Sequence, residues 1–270
     1  MQKIIGILFI SLLFSIAART QTNETHKLIS TIVGDVVDFT VDNLDNVYVI
    51  TTTNQLKKYG PNGDSITVYN NVKNFGKISA IDVSNPLKVL LYYKDFATIV
   101  VLDRLFMIRN IIDLRQQNIF EVNAIGQSYD NNIWLYDESD SKLKKIDETG
   151  KVLLETPDFR LLFTEAPHIK NIYDQDGFVY LYDPEQNVFV FDYYGALRNK
   201  ILISGWRDFK VAGKYIFGVS GDTLHRYEIN TFRLDDEKLP EPLSNSLKLN
   251  FTASRLYALK KGLLETYSLH

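Results

Sequence analysis

Apolar and polar positions alternate through residues 38–69, which read DFTVDNLDNVYVITTTNQLKKYGPNGDSITVY. Four short runs rich in Val, Ile, Thr and Tyr, at residues 37–41, 47–50, 55–59 and 65–69, are separated by clusters of Asp, Asn, Thr, Gly and Pro. Such runs predict strands, since β-branched and aromatic side chains pack well on a pleated surface. The clusters predict turns. Asn and Asp tolerate left-handed backbone and hydrogen-bond their own turns, Pro fixes φ and Gly accepts positive φ.

The same pattern recurs to the end of the chain. Second strands read NVYVI from Asn46, KVLLY from Lys88, NIWLY from Asn132, FVYLY from Phe178, YIFGV from Tyr215 and RLYAL from Arg255. Their middle column is Tyr48, Leu90, Trp134, Tyr180, Phe217 and Tyr257, aromatic at all but Leu90. A large flat side chain once per sheet is what neighbouring sheets need when they pack face to face. Third strands repeat as LKKY at Leu56, IVVL at Ile99, LKKI at Leu143, VFVF at Val188, LHRY at Leu224 and LETY at Leu264. Four strands per roughly 40 residues is the signature of propeller blades. The expected fold is therefore all-β: a six-bladed β-propeller of four-stranded antiparallel blades.

The last blade lacks a fourth strand, because its runs at 246–250, 255–260 and 263–269 reach the end of the sequence. The stretch KLISTIV at residues 27–33 has no blade of its own. Pairing the two closes the ring and hides two sheet edges.

A strand, a turn, an apolar strand and a third strand leading into turns such as YGPNG at Tyr59 or DYYG at Asp192 is similar to the repeat of NHL-repeat and TolB-like propellers. The resemblance spans nearly all of the chain beyond residue 20 and rests on blade periodicity. It implies the six-bladed fold.

Residues 1–3 carry one Lys, residues 4–16 are an apolar run, and small residues follow around Ala17 and Ala18. This pattern predicts a secretory signal peptide over residues 1–20, with cleavage points after Ala17 and before Gln21. The remainder, 21–270, is expected to be a single propeller domain. Thirteen apolar residues are too few to span a bilayer, which needs about 20, and no other stretch is longer, so no integral membrane segment is expected. The chain has no Cys, which removes disulfides, thiol catalysis and an N-terminal lipid anchor. Thirty basic and 33 acidic residues are well mixed, with a net charge of −3, unlike the footprint of a nucleic-acid binder. A periplasmic or secreted bacterial envelope protein fits these features.

Candidate chemistry is sparse. The four His stand apart from one another; His168, opening the fourth blade, is the one expected near the central channel. Asp174-Gln175-Asp176-Gly177 begins like a calcium loop but lacks its closing Glu and sits where each blade has its first turn. Inner strands should carry Asp38, Asp82, Glu121, Asn123, Asn171, Asp208, Lys210, Lys248 and Asn250 toward the channel. With two lysines in adjacent blades, the set opposes cation binding. No cofactor or metal is expected, nor a catalytic constellation.

One connector stands out, TPDFRLLFTEAP at residues 156–167. Phe159, Arg160, Leu161, Leu162 and Phe163 form the expected partner-binding site, since docking anchors are rich in aromatic, aliphatic and Arg side chains. The competing reading folds this loop back as a helical turn or an extra strand covering the ring edge. RQQNIF at residues 115–120 is a weaker candidate.

The expected function is a non-catalytic propeller binding a protein partner in an envelope or secretion complex. The Lys-, Asn- and Ile-rich, cysteine-free chain is similar to proteins of bacteria with type IX secretion. That likeness implies an accessory or plug subunit of an outer-membrane translocon. The alternative is a metal-dependent, lactonase-like or carbohydrate-active propeller enzyme; a third reading, a sugar or cell-wall binder, is permitted by 16 Tyr and 16 Phe, many of which the aligned columns assign to the core.

Overall fold

The structure, a computed structural model, describes residues 26–269. The segment expected as a signal peptide lies outside the described residues.

Strand β1 (Leu28–Val33) comes first. Blade 1 follows as β2 (Asp38–Val41), β3 (Val47–Ile50), β4 (Leu56–Tyr59) and β5 (Ser65–Tyr69), and blade 2 as β6 (Ala80–Asn85), β7 (Lys88–Tyr93), β8 (Thr98–Asp103) and β9 (Ile108–Asp113). Blade 3 holds β10 (Val122–Gln127), β11 (Ile133–Asp137), β12 (Lys142–Ile146) and β13 (Val152–Glu155). Blade 4 holds β14 (Asn171–Gln175), β15 (Phe178–Tyr182), β16 (Val188–Asp192) and β17 (Leu197–Ile201). Blade 5 contains β18 (Arg207–Ala212), β19 (Tyr215–Ser220), β20 (Thr223–Glu228) and β21 (Arg233–Lys238). Blade 6 contains β22 (Lys248–Phe251), β23 (Arg255–Lys260) and β24 (Leu263–Ser268), and its sheet order β1-β24-β23-β22 takes the N-terminal strand as its outer member. The register runs from Val33 opposite Leu263 to Ser30 opposite Thr266, antiparallel.

Each inner strand touches its neighbours in turn, β2 to β6, β10, β14, β18, β22 and back to β2, which closes the ring. The core is divided accordingly. Six apolar clusters each sit between two adjacent blades; one joins Ile32, Tyr257 and Leu264 of blade 6 to Phe39 and Val47 of blade 1. The whole middle column, from Tyr48 to Tyr257, is buried. Turns between first and second strands use residues that tolerate positive φ: Asp45 (63°), Asn131 (65°) and Asp176 (51°) with Gly177 (90°). Asp174 to Gly177 is thus the end of β14 and its turn.

Gly126, inside β10, has a different reason. A Cβ there would stand 2.9 Å from the Ile172 carbonyl oxygen on β14, so only Gly lets these inner strands approach.

Candidate functional site

The six inner strands all start on one face of the disc and end on the other. Their first residues bound a cavity of about 660 Å³ on the connector side, and their last residues and following turns bound one of about 780 Å³ on the turn side. Asp82, Ser84, Tyr173 and Lys210 border both and form the waist of the channel. Eight of the nine residues expected at the channel line it. Glu121 does not: it precedes β10 and faces Lys94 at 3.5 Å on the rim.

The two channel lysines differ. Lys248 Nζ meets Asp38 Oδ1 at 2.5 Å. Lys210 Nζ donates to the Val41 carbonyl oxygen at 3.2 Å, and among the described residues no carboxylate stands within ion-pairing distance of it. Burial pushes the Lys210 ammonium down to about 8; the charge of Asp82 resists the fall and Lys248 adds to it. Burial also raises the Asp82 carboxyl, against hydrogen bonds from Ser84 N at 3.0 Å and Ser84 Oγ at 2.7 Å. Asp208 is raised for the same reason, although Arg207 lies 2.5 Å away. The Tyr173 hydroxyl donates to the Phe209 carbonyl at 2.9 Å.

On the turn side Asp174 ties two blades together. Its carboxylate accepts from Ser128 Oγ (3.2 Å), Tyr129 N (3.2 Å), Trp134 Nε1 (3.0 Å) and the Tyr193 hydroxyl (2.6 Å). Tyr129 and Tyr193 stack at 4.2 Å between centroids, and Tyr129 remains 65 % exposed at the cavity rim. Gln127, at the end of β10, lines the same cavity but is only 6 % exposed; its Oε1 is buried and has no hydrogen-bond partner among the described residues.

On the connector side, the stretch singled out as a partner site splits in two. Phe159–Leu162 is one helical turn whose start is capped by Asp158 accepting from Arg160 N at 2.8 Å. Phe159 is fully buried, stacked on Phe191 at 5.2 Å, and Phe163 packs on Phe189 at 4.7 Å. Leu161 is 82 % exposed and Leu162 46 %. Arg160 lies beside them, its guanidinium 2.6 Å from Asp158. The two aromatics therefore hold the turn down while Arg160, Leu161 and Leu162 face outward. In the weaker candidate, Ile119 is buried, Phe120 is exposed and Arg115 is bound to Asp113 at 2.8 Å.

His168 stands outside the channel. It lies three residues before β14, exposed, with Nδ1 2.7 Å from Glu138 Oε1, and that carboxylate raises the imidazole's pKa. Among the described residues no group of three or more His, Asp or Glu could hold a metal ion, and no helix is long and apolar enough to cross a membrane.

Sequence reasoning missed Asp174 as a hub, the Tyr129–Tyr193 stack and the orphaned Gln127 carbonyl. Asp174 carried the one legible signal, an acid in a first turn, but its partners lie 40–46 residues back along the chain on another blade.

No protein-family model and no curated protein matches the chain. Solved structures match it over most of its length. The WD40 domain of Neurospora crassa Pan2 aligns with a TM-score of 0.61 at 8 % identity, covering 90 % of this chain and 95 % of that one. A streptogramin B lyase gives 0.60 at 11 %, covering 91 % and 87 %. Virginiamycin B lyase from Staphylococcus aureus gives 0.59 at 16 %, covering 90 % and 88 %. At these identities the likeness is one of fold, and what this chain shares with them is the β-propeller.

Proposed function

We propose that this chain is a non-catalytic, protein-binding propeller of the bacterial envelope, exported to the periplasm or beyond it. Arg160, Leu161 and Leu162 are its docking knob, on the connector face. The observation that carries this reading is the exposed Leu161–Leu162 pair on a turn fixed from beneath by Phe159 and Phe163. Leucines held rigidly in water cost little ordering when a partner covers them. The signal-like residues 1–20 support export. Lys210 and Lys248 on neighbouring inner strands weigh against the channel cation of a lactonase-like enzyme. Kinship with NHL-repeat and TolB-like propellers, and a place as accessory or plug subunit of a type IX translocon, complete the proposal.

Site-specific photo-crosslinking from position 164, exposed beside the leucine pair, in living cells, followed by mass spectrometry, tests it. One envelope protein is expected to be trapped, with the yield falling about tenfold or more in Leu161→Asp/Leu162→Asp, a loss of about 1.4 kcal/mol or more. That variant should melt like the parent, whereas Phe159→Ala should cost about 3–5 kcal/mol of stability. Equal crosslinking by parent and double variant would overturn the assignment.

A further inference from the structure

The turn-side cavity lies on the face opposite the docking knob, and it contains polar atoms that the fold leaves unused. Among the described residues Lys210 at the waist makes one hydrogen bond, to Val41, with two protons to spare. Asp82 is a carboxylate in the same waist; its Oδ1 accepts from Ser84 N and Ser84 Oγ, and among the described residues no side chain donates to its Oδ2. At the rim, Tyr129 offers an exposed ring braced by Tyr193.

We infer that this cavity binds a carbohydrate of one to three sugar rings, its hydroxyls met by Lys210 and Asp82 and the apolar face of a ring laid on Tyr129. The argument is one of donors and acceptors. Lys210 has room for an acceptor and Asp82 Oδ2 has room for a donor. A carboxylate or phosphate would satisfy Lys210 but has no proton for Asp82 and is repelled by it. A metal cation would be repelled by Lys210. A hydroxyl both donates and accepts, so neighbouring hydroxyls serve both. A cavity of about 780 Å³ falls in the range of small-ligand pockets. Sugars also carry apolar C–H faces, which suits an amphipathic aromatic at a wet rim.

The inference does not rest on the docking knob, and its test is separable from that of the knob. The purified protein is titrated calorimetrically with chitotriose, maltotriose, mannotriose and cellotriose, each at up to about 10 mM, beside trialanine and citrate. One trisaccharide is expected to bind one-to-one with a Kd between about 1 μM and 1 mM. Tyr129→Ala, at an exposed position, should weaken it about tenfold or more without moving the melting temperature by more than a few degrees. Lys210→Met should weaken it comparably, and Leu161→Asp should leave it unchanged. Silence across the four sugars, preference for trialanine or citrate, or sugar binding indifferent to Tyr129→Ala overturns the inference.

Discussion

Asp174 accepts four hydrogen bonds, three of them from blade 3, while itself belonging to blade 4. Removing an acceptor strands its donors, and the largest loss falls on the Trp134 indole, fully buried between the blades. Asp174→Ala is expected to lower stability by about 2–4 kcal/mol in urea unfolding; a change under about 0.5 kcal/mol would show that the hub carries no weight. Lys210 acts in the opposite sense. Its ammonium loses its proton near 8 in the folded channel against 10.5 ordinarily, with Asp82 and Asp42 holding the charge and burial and Lys248 opposing it. Between those pH values the unfolded chain binds more protons than the folded one, so stability from this group rises with pH through that window. Below it the desolvation cost is fully present. Lys210→Met is expected to be more stable than the parent by about 1–2 kcal/mol at pH 7, with the difference shrinking toward pH 10.5. A difference independent of pH would refute the assignment.

At the scale of elements, β1 is the member most distant in sequence from its sheet. It adds Ile32 to the core shared by blades 6 and 1 and covers the free edge of β24. A second fastening crosses the same seam: Asp45 of blade 1 accepts from the Tyr257 hydroxyl and Thr252 Oγ1, both at 2.8 Å, and faces Arg255 at 3.2 Å. Deleting residues through Val33 is expected to lower the melting temperature by about 10 °C or more in calorimetry. A truncation that melts with the parent would assign closure to Asp45 and the apolar seam alone. The strand, its partner and its role were legible, because an unpaired strand at one end and a blade missing one at the other have a single economical solution. The helical turn was half legible. Phe159 and Phe163 are four apart and fall on one face, which leaves Arg160, Leu161 and Leu162 outward; which face met the core depended on Phe189 and Phe191 in the next blade.

The whole molecule is a closed disc with chemically distinct faces. The connector side presents the Leu161–Leu162 knob and a cavity edged by Asp38, Asp208 and Lys248; the turn side presents a larger cavity with an aromatic rim. A closed ring of six packed blades holds both faces in fixed relation, so a partner on one face leaves the other open to a small ligand. By itself the sequence determined the strands, the turns, the count of six blades, the closing strand and eight of the residues that line the channel. Each of these follows from local periodicity and turn chemistry, which act over a few residues and repeat once per blade. Only the tertiary structure decided which charges find partners. Lys248 meets Asp38 from 210 residues away, while Lys210 meets a backbone carbonyl and no carboxylate among the described residues, and Asp174 serves three donors on another blade. Those outcomes depend on where neighbouring blades bring their side chains, and no spacing along the chain encodes that.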